Sequence, residues 1–358
     1  MTIRELHAFG VRGLRQFEAR HFHERWLIAI RPRSRHDVLT GDMTGFRLLI
    51  AARRHFFADP FLIDWEGRHF LFYEDYDFGS GRGVIAYREI DPDGSARDPA
   101  VALEGEHHFS YPFVLAHGTS LYALPETADI RRLMLYRADA LPGPFVLDSV
   151  LLEDAAAVDP TIHAANGCFW LFANDFPAGG SPHDSLNIFW AEQPGGPWTP
   201  HPQNPVVRNA AGARPAGALF ERAGDLVRPA QDCSMRYGGS VVLKRVLRLD
   251  RDGFEEEEIG RISPGWLRCN LGTHTYNRDS RFEVVDGRWF TSEHWWLDLV
   301  TRIGSCVLEG PGRSEIRDLR SWLSHGKASR TILAALRKGL PTPSLRGRLG
   351  RIPARWRR

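Results

Sequence analysis

Acidic and cationic side chains recur along the chain at a nearly regular interval, each just before an apolar segment. They stand in five short motifs: Ala58-Asp59-Pro60-Phe61, Ser110-Tyr111-Pro112-Phe113, Val158-Asp159-Pro160-Thr161, Ala213-Arg214-Pro215-Ala216 and Thr273-His274-Thr275-Tyr276. Counted between the second residues, the steps are 52, 48, 55 and 60 positions. Carboxylates gathered with Arg and His are the groups that acid–base chemistry on a polar ligand requires.

The carboxylates in and between these motifs suit the cleavage or formation of a glycosidic bond. An inverting reaction needs one carboxylate to activate water and one carboxylic acid to protonate the leaving oxygen, about 6.5–9.5 Å apart. The candidates are Asp59, Glu126 and Asp159, with Glu74 and Asp232 in reserve. Packed together, they cannot all ionise cheaply, so at least one should have a raised pKa. In the competing interpretation each Asp-Pro pair caps a turn.

Further polar residues are predicted on the same rim as ligand-binding groups. The full predicted substrate-binding set is Glu74, Tyr111, Arg214, Arg228, Gln231, Asp232, His274 and Tyr276. Arg binds carboxylate or phosphate bidentately, which suggests an anionic or phosphorylated sugar. Alternatively, the two arginines neutralise Asp159 or Asp232. The trio His274, Asp232 and Glu293 lacks ligand spacing, so neither a metal nor another cofactor is predicted.

These residues could meet only if the chain closes on itself, and a period near 50 residues with strand-rich content predicts a β-propeller. After each motif come an apolar strand, a Gly-containing turn, a second apolar strand and a polar cluster such as Pro125-Glu126-Thr127. Both polar ends then lie at one end of each blade. We therefore predict an all-β, five-bladed propeller over residues 54–312. A lead of residues 1–53 precedes it and contains two predicted strands, Glu24–Ile30 and Phe46–Ala51, one of which pairs with the last blade and closes the ring.

The last segment, residues 313–358, has a different character. It holds eleven Arg and two Lys against Glu315 and Asp318, a net +11, which leaves −9 on the remainder of a chain whose net charge is +2. Its apolar spacing predicts a short basic amphipathic helix followed by a disordered tail. The helix either packs on the propeller or binds an anionic membrane surface, and nucleic acid is the least favoured partner.

Targeting signals are not evident in the sequence. The N-terminus lacks the apolar stretch of a secretory signal, and no apolar run is long enough to span a membrane. The four cysteines, Cys168, Cys233, Cys269 and Cys306, are widely spaced and are expected to be reduced thiols. These features predict a cytoplasmic protein, with the basic tail as a means of peripheral attachment to the inner membrane face.

Several motifs together resemble the N-terminal domain of the plant glucosamine inositolphosphorylceramide transferases. Besides the first, second, third and fifth motifs above, they are Pro125-Glu126-Thr127, His201-Pro202-Gln203-Asn204-Pro205 and Arg228-Pro229-Ala230-Gln231-Asp232. The resemblance covers about residues 54–295 and is more distant to the five-bladed glycosidases of family 43. It implies a propeller in a carbohydrate context, whereas the sugar transfer of the plant proteins is attributed to a separate C-terminal domain.

The family 43 pattern also implies roles for three acids. Asp59 would be the base, Glu126 the acid and Asp159 the residue that modulates them. The sequence thus predicts an enzyme that makes or breaks a glycosidic bond in a glycoconjugate or glycolipid pathway. The alternative is a non-catalytic module that binds a glycan or glycolipid for a partner glycosyltransferase.

Overall fold

The protein is a five-bladed β-propeller in which each blade is an antiparallel sheet. The computed structural model describes residues 22–33, 38, 41–176, 180–267 and 270–292. Apart from one 3₁₀ turn, Ala128–Ile130, the named elements of these residues are all strands. The predicted all-β propeller is confirmed, whereas the predicted C-terminal helix and tail lie outside the described residues.

In the described part of the chain, twenty-one strands make up the five sheets. The first blade contains β3 (His55–Trp65), β4 (Arg68–Asp77), β5 (Arg82–Ile90) and β6 (Ala100–Leu103). The second contains β7 (Ser110–His117), β8 (Ser120–Glu126), β9 (Arg132–Ala138) and β10 (Val146–Glu153). The third contains β11 (Ala157–Ala165), β12 (Cys168–Asp175), β13 (Ser185–Ala191), β14 (Thr199–Pro200) and β15 (Val207–Arg208). The fourth contains β16 (Phe220–Arg222), β17 (Asp225–Asp232), β18 (Ser240–Leu249) and β19 (Phe254–Ile262).

The fifth blade joins segments from opposite parts of the chain. Its strand order is β2 (Arg47–Leu49), β1 (Phe22–Pro32), β21 (Phe282–Ser292) and β20 (Tyr276–Arg278). Two strands that precede the first blade in sequence therefore form the outer half of the last one. This arrangement pairs the edge that β21 would otherwise expose.

Tight turns return the chain at the end of the blades opposite the motifs. Between β11 and β12, Asn166 and Gly167 have φ values of 55° and 73°, as a two-residue type I′ turn requires. The first strand of a blade leaves the motif end and the second returns to it, so Glu126 at the end of β8 pairs with Ser110 at the start of β7.

The apolar core fills the spaces between blades. The fourth residue of every motif is buried: Phe61, Phe113, Ala216 and Tyr276 belong to the core, and Thr161 is a buried polar residue. The second residue of each motif is polar and also buried, so the motifs separate an apolar layer between blades from a polar centre. Within the described residues, no helix has the length and hydropathy needed to cross a bilayer. Cys168 and Cys233 are buried free thiols, and the other two cysteines lie outside those residues.

Candidate active site

Three of the motifs share a β-bulge that turns a polar residue toward the centre. Asp59, Tyr111 and Asp159 have φ values of 51°, 44° and 50°, and each precedes a proline. In each case the register with the neighbouring strand shifts across the motif. A left-handed φ is costly for residues other than Gly, and such residues cluster where side chains must be aimed at a site.

Four of the five second motif residues, Asp59, Asp159, Arg214 and His274, line a cavity of about 210 Å³. Its lining consists of Trp26, Phe56, Ala58, Asp59, Glu74, Tyr76, His108, Ser110, Glu126, Asp159, Arg214, Tyr237 and His274. A pocket for a drug-sized ligand usually measures ~300–1,000 Å³, so this cavity suits about one sugar ring. All three predicted catalytic carboxylates line it.

Asp59 is held by groups from two other blades. Its Oδ1 accepts a hydrogen bond from Thr275 Oγ1 at 2.9 Å and lies 3.4 Å from His274 Nε2. Its Oδ2 accepts one from the Tyr111 backbone N–H at 3.2 Å. Burial raises the pKa of Asp59 to about 6; His274 opposes the shift and Asp159 adds to it. Asp59 is therefore mostly ionised at neutral pH.

His274 lies between two carboxylates. Its Nδ1 is in ion-pair contact with Asp286 Oδ2, and Asp286 Oδ1 accepts the backbone N–H of His274 at 2.7 Å. Burial alone would lower the pKa of His274, but the charges of Asp286 and Asp59 raise it above its ordinary value. The imidazolium form is thus favoured, with one carboxylate beside each ring nitrogen.

Asp159 is neutralised by a single arginine. The Arg214 guanidinium contacts both of its carboxylate oxygens, through Nε to Oδ2 and through Nη2 to Oδ1 at 3.2 Å. Gln231 Nε2 donates a further hydrogen bond to Oδ2 at 2.6 Å. Because bidentate pairs of this kind are strong, Asp159 serves to position Arg214 beside the cavity.

Glu126 differs from Asp159 because the Arg214 guanidinium, which is hydrogen-bonded to Asp159, lies farther from Glu126. Its Oε2 accepts the backbone N–H of Asp159 at 3.0 Å, and Arg214 Nη2 approaches only to 3.8 Å. Burial and the Asp159 charge raise the pKa of Glu126 to about 8. The side chain is therefore mostly protonated at neutral pH, the state that a general acid needs.

Glu74 is a fourth carboxyl group in the cavity and faces a histidine. The Gly83 backbone N–H donates to His108 Nδ1 at 2.8 Å, so the neutral ring carries its proton on Nε2, 3.7 Å from Glu74 Oε1. Burial lowers the pKa of His108. Burial and the charges of Asp59 and Glu126 raise the pKa of Glu74 well above its ordinary value.

One trio of the described residues could in principle hold a metal ion. Donor atoms of Asp59, His274 and Asp286 lie within 4.8 Å of one another, and all three residues are buried. The direct contact of His274 with Asp286, however, leaves no room for an ion between those two side chains. The charges of the trio already compensate one another in part.

Two aromatic residues complete the cavity wall. Trp26 of β1 stacks on His274 with ring centroids 3.8 Å apart. Tyr237, from the loop after β17, lies under the Arg214 guanidinium, whose Cζ is 4.8 Å from the ring centroid. Gly238 permits this packing, since a Cβ there would approach the Trp26 ring to 2.7 Å.

Of the five predicted substrate-binding residues that do not line the cavity, three are held by contacts away from it. Along β17, Gln231 points to the axis, so Arg228 and Asp232 lie on the other face of the strand. Arg228 is buried in the fourth blade and binds Glu256 at 2.7 and 2.8 Å. Asp232 binds Arg261 and the Ser234 hydroxyl.

The third is Tyr276, which occupies the fourth position of its motif and so belongs to the core. Its hydroxyl donates to Glu283 at 2.8 Å, and its ring packs edge-on against Phe220. The expectation that Arg228, Asp232 and Tyr276 hold the ligand is corrected, because each makes its contacts away from the cavity. Those of Arg228 and Asp232 lie in the fourth blade, and those of Tyr276 reach Glu283 of the fifth blade and Phe220 of the fourth.

Two other predicted residues lie behind the cavity. Tyr111 is fully buried, and its hydroxyl accepts the Gly217 N–H at 2.7 Å and contacts Thr161 Oγ1 at 3.0 Å. Gln231 also donates to the Pro215 carbonyl, at 2.9 Å. Both residues donate hydrogen bonds to carboxylates that line the cavity, Tyr111 through its backbone N–H to Asp59 and Gln231 through its side chain to Asp159.

Other lining residues were not anticipated from the sequence. Trp26, Phe56, Tyr76, His108 and Tyr237 are not in the second position of a motif, which was the signal for a site residue. A second signal was available for some of them. Tyr76 follows Glu74 by two residues and His108 precedes Ser110 by two, so alternation along the chain predicts a shared face.

Comparison with known proteins places this propeller in a family. The family described as "Glucosamine inositolphosphorylceramide transferase 1, N-terminal" matches residues 48–298. The chain belongs to this family. It is 34% identical over 245 residues to the glucosamine inositolphosphorylceramide transferase 1 of Oryza sativa subsp. japonica, which covers 67% of this chain and 32% of that protein. The Arabidopsis thaliana protein of the same name is 32% identical over 209 residues, 57% of this chain and 27% of its own length.

Because the family match is confined to about a third of these relatives, their activity as whole proteins is not transferred to the chain. Among solved structures, a family 43 β-xylosidase/α-arabinofuranosidase from a compost metagenome superposes with a TM-score of 0.50. It is 11% identical and covers 67% of this chain and 92% of that one. This likeness supports the propeller fold.

Proposed function

We propose that the protein is a carbohydrate-active enzyme that makes or breaks a glycosidic bond, with Asp59 as base, Glu126 as acid and Asp159 as the modulating residue. The proposal is carried by one observation: Asp59 and Glu126 line the same cavity, and their surroundings favour opposite protonation states. Glu126 would give its proton to the glycosidic oxygen as the bond to the anomeric carbon breaks. Asp59 would take a proton from the water or acceptor hydroxyl that attacks that carbon.

The charges of the cavity favour an amino sugar over the anionic sugar suggested by the sequence. Arg214 is already bound to Asp159, and His274 is already flanked by carboxylates. Among the described residues, the basic side chains nearest to Glu126 and Glu74 are Arg214 at 3.8 Å and His108 at 3.7 Å, both beyond hydrogen-bond distance. A ligand ammonium group would supply further positive charge and lower the pKa values of these two carboxyl groups. The glucosamine in the family name agrees with this choice.

The second candidate function is a module that binds a glycan or glycolipid and presents it to a partner glycosyltransferase. It is favoured by the extent of the family match, which covers only about a third of the plant relatives. The same cavity would serve this role without chemistry. In this role Glu126 would bind the ligand without transferring its proton to it.

Substitution separates the two functions. Asp59→Asn and Glu126→Gln keep the shape of each side chain, and Glu192→Gln, at an exposed position, is the matched control. Turnover is measured on a panel of aryl glycosides and sugar nucleotides that includes glucosaminides, and glucosamine affinity by calorimetry. Catalysis predicts that both site variants lose turnover by a factor of ~10² or more while glucosamine still binds. Binding without turnover in the unmodified protein would support the module instead.

We further propose a location at the cytoplasmic face of the membrane, through the basic segment 313–358. Liposome flotation with anionic vesicles, for the whole chain and for one shortened after Gly312, tests this. Equal flotation of both proteins would reject it without affecting the assignment of the cavity.

A further inference from the structure

A cluster of three aromatic rings lies at the edge of the cavity, on the first blade. Phe56 and Tyr76 stack with centroids 4.7 Å apart and planes inclined by 9°. Phe78 packs edge-on against both, at 5.7 and 5.5 Å. All three rings are half-buried, and none contributes to the apolar cores of the described residues.

The register of the first blade connects this cluster with Glu74 in the cavity. Phe56 pairs with Tyr76 across β3 and β4, and Ala58 pairs with Glu74. Because side chains two residues apart share a face, one wall runs from Phe78 through Tyr76 to Glu74. Phe56 and Tyr76 line the cavity, so the aromatic cluster continues it outward.

We propose that this cluster is a second subsite, which stacks against the apolar face of the next ring of the substrate, a sugar or cyclitol joined to the ring in the cavity. The proposal rests on the proposed function. The cavity, at about 210 Å³, holds one ring, so the neighbouring ring of a glycoconjugate must lie at its edge.

Polar groups beside the rings favour a polyol over a hydrocarbon chain. His108 meets Tyr76 edge-on at 5.9 Å, and its Nε2–H faces Glu74. Ser110, at the start of β7 in the second blade, also lines the cavity and is buried. These groups offer donors and acceptors to ring hydroxyls at the border of an apolar surface, as sites for polar ligands with one apolar face do. A lipid tail would leave them without partners.

The test compares three probes by calorimetry: glucosamine, the two-ring compound glucosaminyl-inositol, and octyl glucosaminide. For the unmodified protein, the two-ring probe should bind roughly tenfold more tightly than glucosamine. In Tyr76→Leu the two probes should bind about equally tightly, whatever the change in glucosamine affinity at this cavity-lining residue. Tyr76→Phe, which keeps the ring, should retain the gain. Tyr122→Leu is the control, since Tyr122 is half-buried and does not line the cavity.

Each outcome has one meaning. Equal affinity for glucosamine and glucosaminyl-inositol, or a gain that survives in Tyr76→Leu, overturns the subsite while the cavity assignment stands. Tighter binding of octyl glucosaminide than of the two-ring probe would show that the aromatic cluster binds a lipid chain, and would also overturn the sugar subsite. If no probe binds the unmodified protein, both the proposed function and the subsite are rejected. Circular dichroism verifies that each variant is folded.

Discussion

Replacing Glu126 by Gln should change the pH dependence of stability in a defined way. The pKa of Glu126 is about 8 in the folded protein against a usual 4.5. Between these values the folded state holds a proton that the unfolded chain has lost, so stability is lost as the pH rises from the unfolded to the folded pKa and levels off above it. The amide of Gln cannot ionise, and its oxygen can still accept the Asp159 N–H, so the variant escapes this loss.

The size of the effect follows from linkage. A shift of one pKa unit corresponds to ~1.4 kcal/mol, and at pH 5 most of the alkaline destabilisation has not yet developed. Between pH 5 and pH 9, Glu126→Gln should gain on the order of 3–4 kcal/mol relative to the unmodified protein. Other titrating groups are common to both proteins and largely cancel in the difference.

Urea denaturation at pH 5, 7 and 9 measures this difference. Glu192→Gln, at an exposed site, is the control and should show the same change with pH as the unmodified protein. If Glu126→Gln instead differs from the unmodified protein by the same free energy at pH 5 and pH 9, Glu126 titrates as an ordinary carboxyl group. Its assignment as the acid would then be refuted.

Three further substitutions test other parts of the structure. Arg228→Met should destabilise the protein by ~3–5 kcal/mol in urea denaturation, because Glu256 stays buried without its partner, and should leave glucosamine affinity unchanged. A loss of glucosamine affinity without a loss of stability would show that Arg228 binds the sugar. Gly217→Ala should lower the free energy of unfolding by more than ~1 kcal/mol, since its φ is 138° and a Cβ would come within 2.1 Å of a carbonyl oxygen; an unchanged thermal midpoint would contradict this. Asp159→Asn should lower the pKa of Glu126, because it removes a neighbouring negative charge. An NMR titration would then show Glu126 losing its proton at a lower pH than in the unmodified protein. A higher pKa of Glu126 in this variant would contradict the electrostatic assignment.

The period of the motifs was enough to predict the propeller and the meeting of distant carboxylates. Asp59 and Asp159 follow from it because each stands in the same position of a blade and precedes a proline. Glu126 follows from the geometry of a hairpin, which returns the end of the second strand to the motif. These are local features with a fixed relation to the axis.

The errors at Arg228 and Asp232 have one physical cause, the parity of strand faces. Arg228 and Asp232 were assigned to the centre together with Gln231, but neighbours on a strand point to opposite sides. Which face of a strand points to the axis depends on the pairing register, and a β-bulge shifts that register by one residue. Trp26 and Tyr237 reach the cavity from the closing strand and from a loop, and their approach depends on packing that composition and spacing do not encode.

The most direct test of the central claim is a crystal structure of the protein with glucosamine. We expect one sugar ring in the central cavity, with its anomeric carbon between Asp59 and Glu126 and its ammonium group near Glu74. A sugar bound elsewhere on the propeller, with the cavity closed by its own side chains, would contradict it.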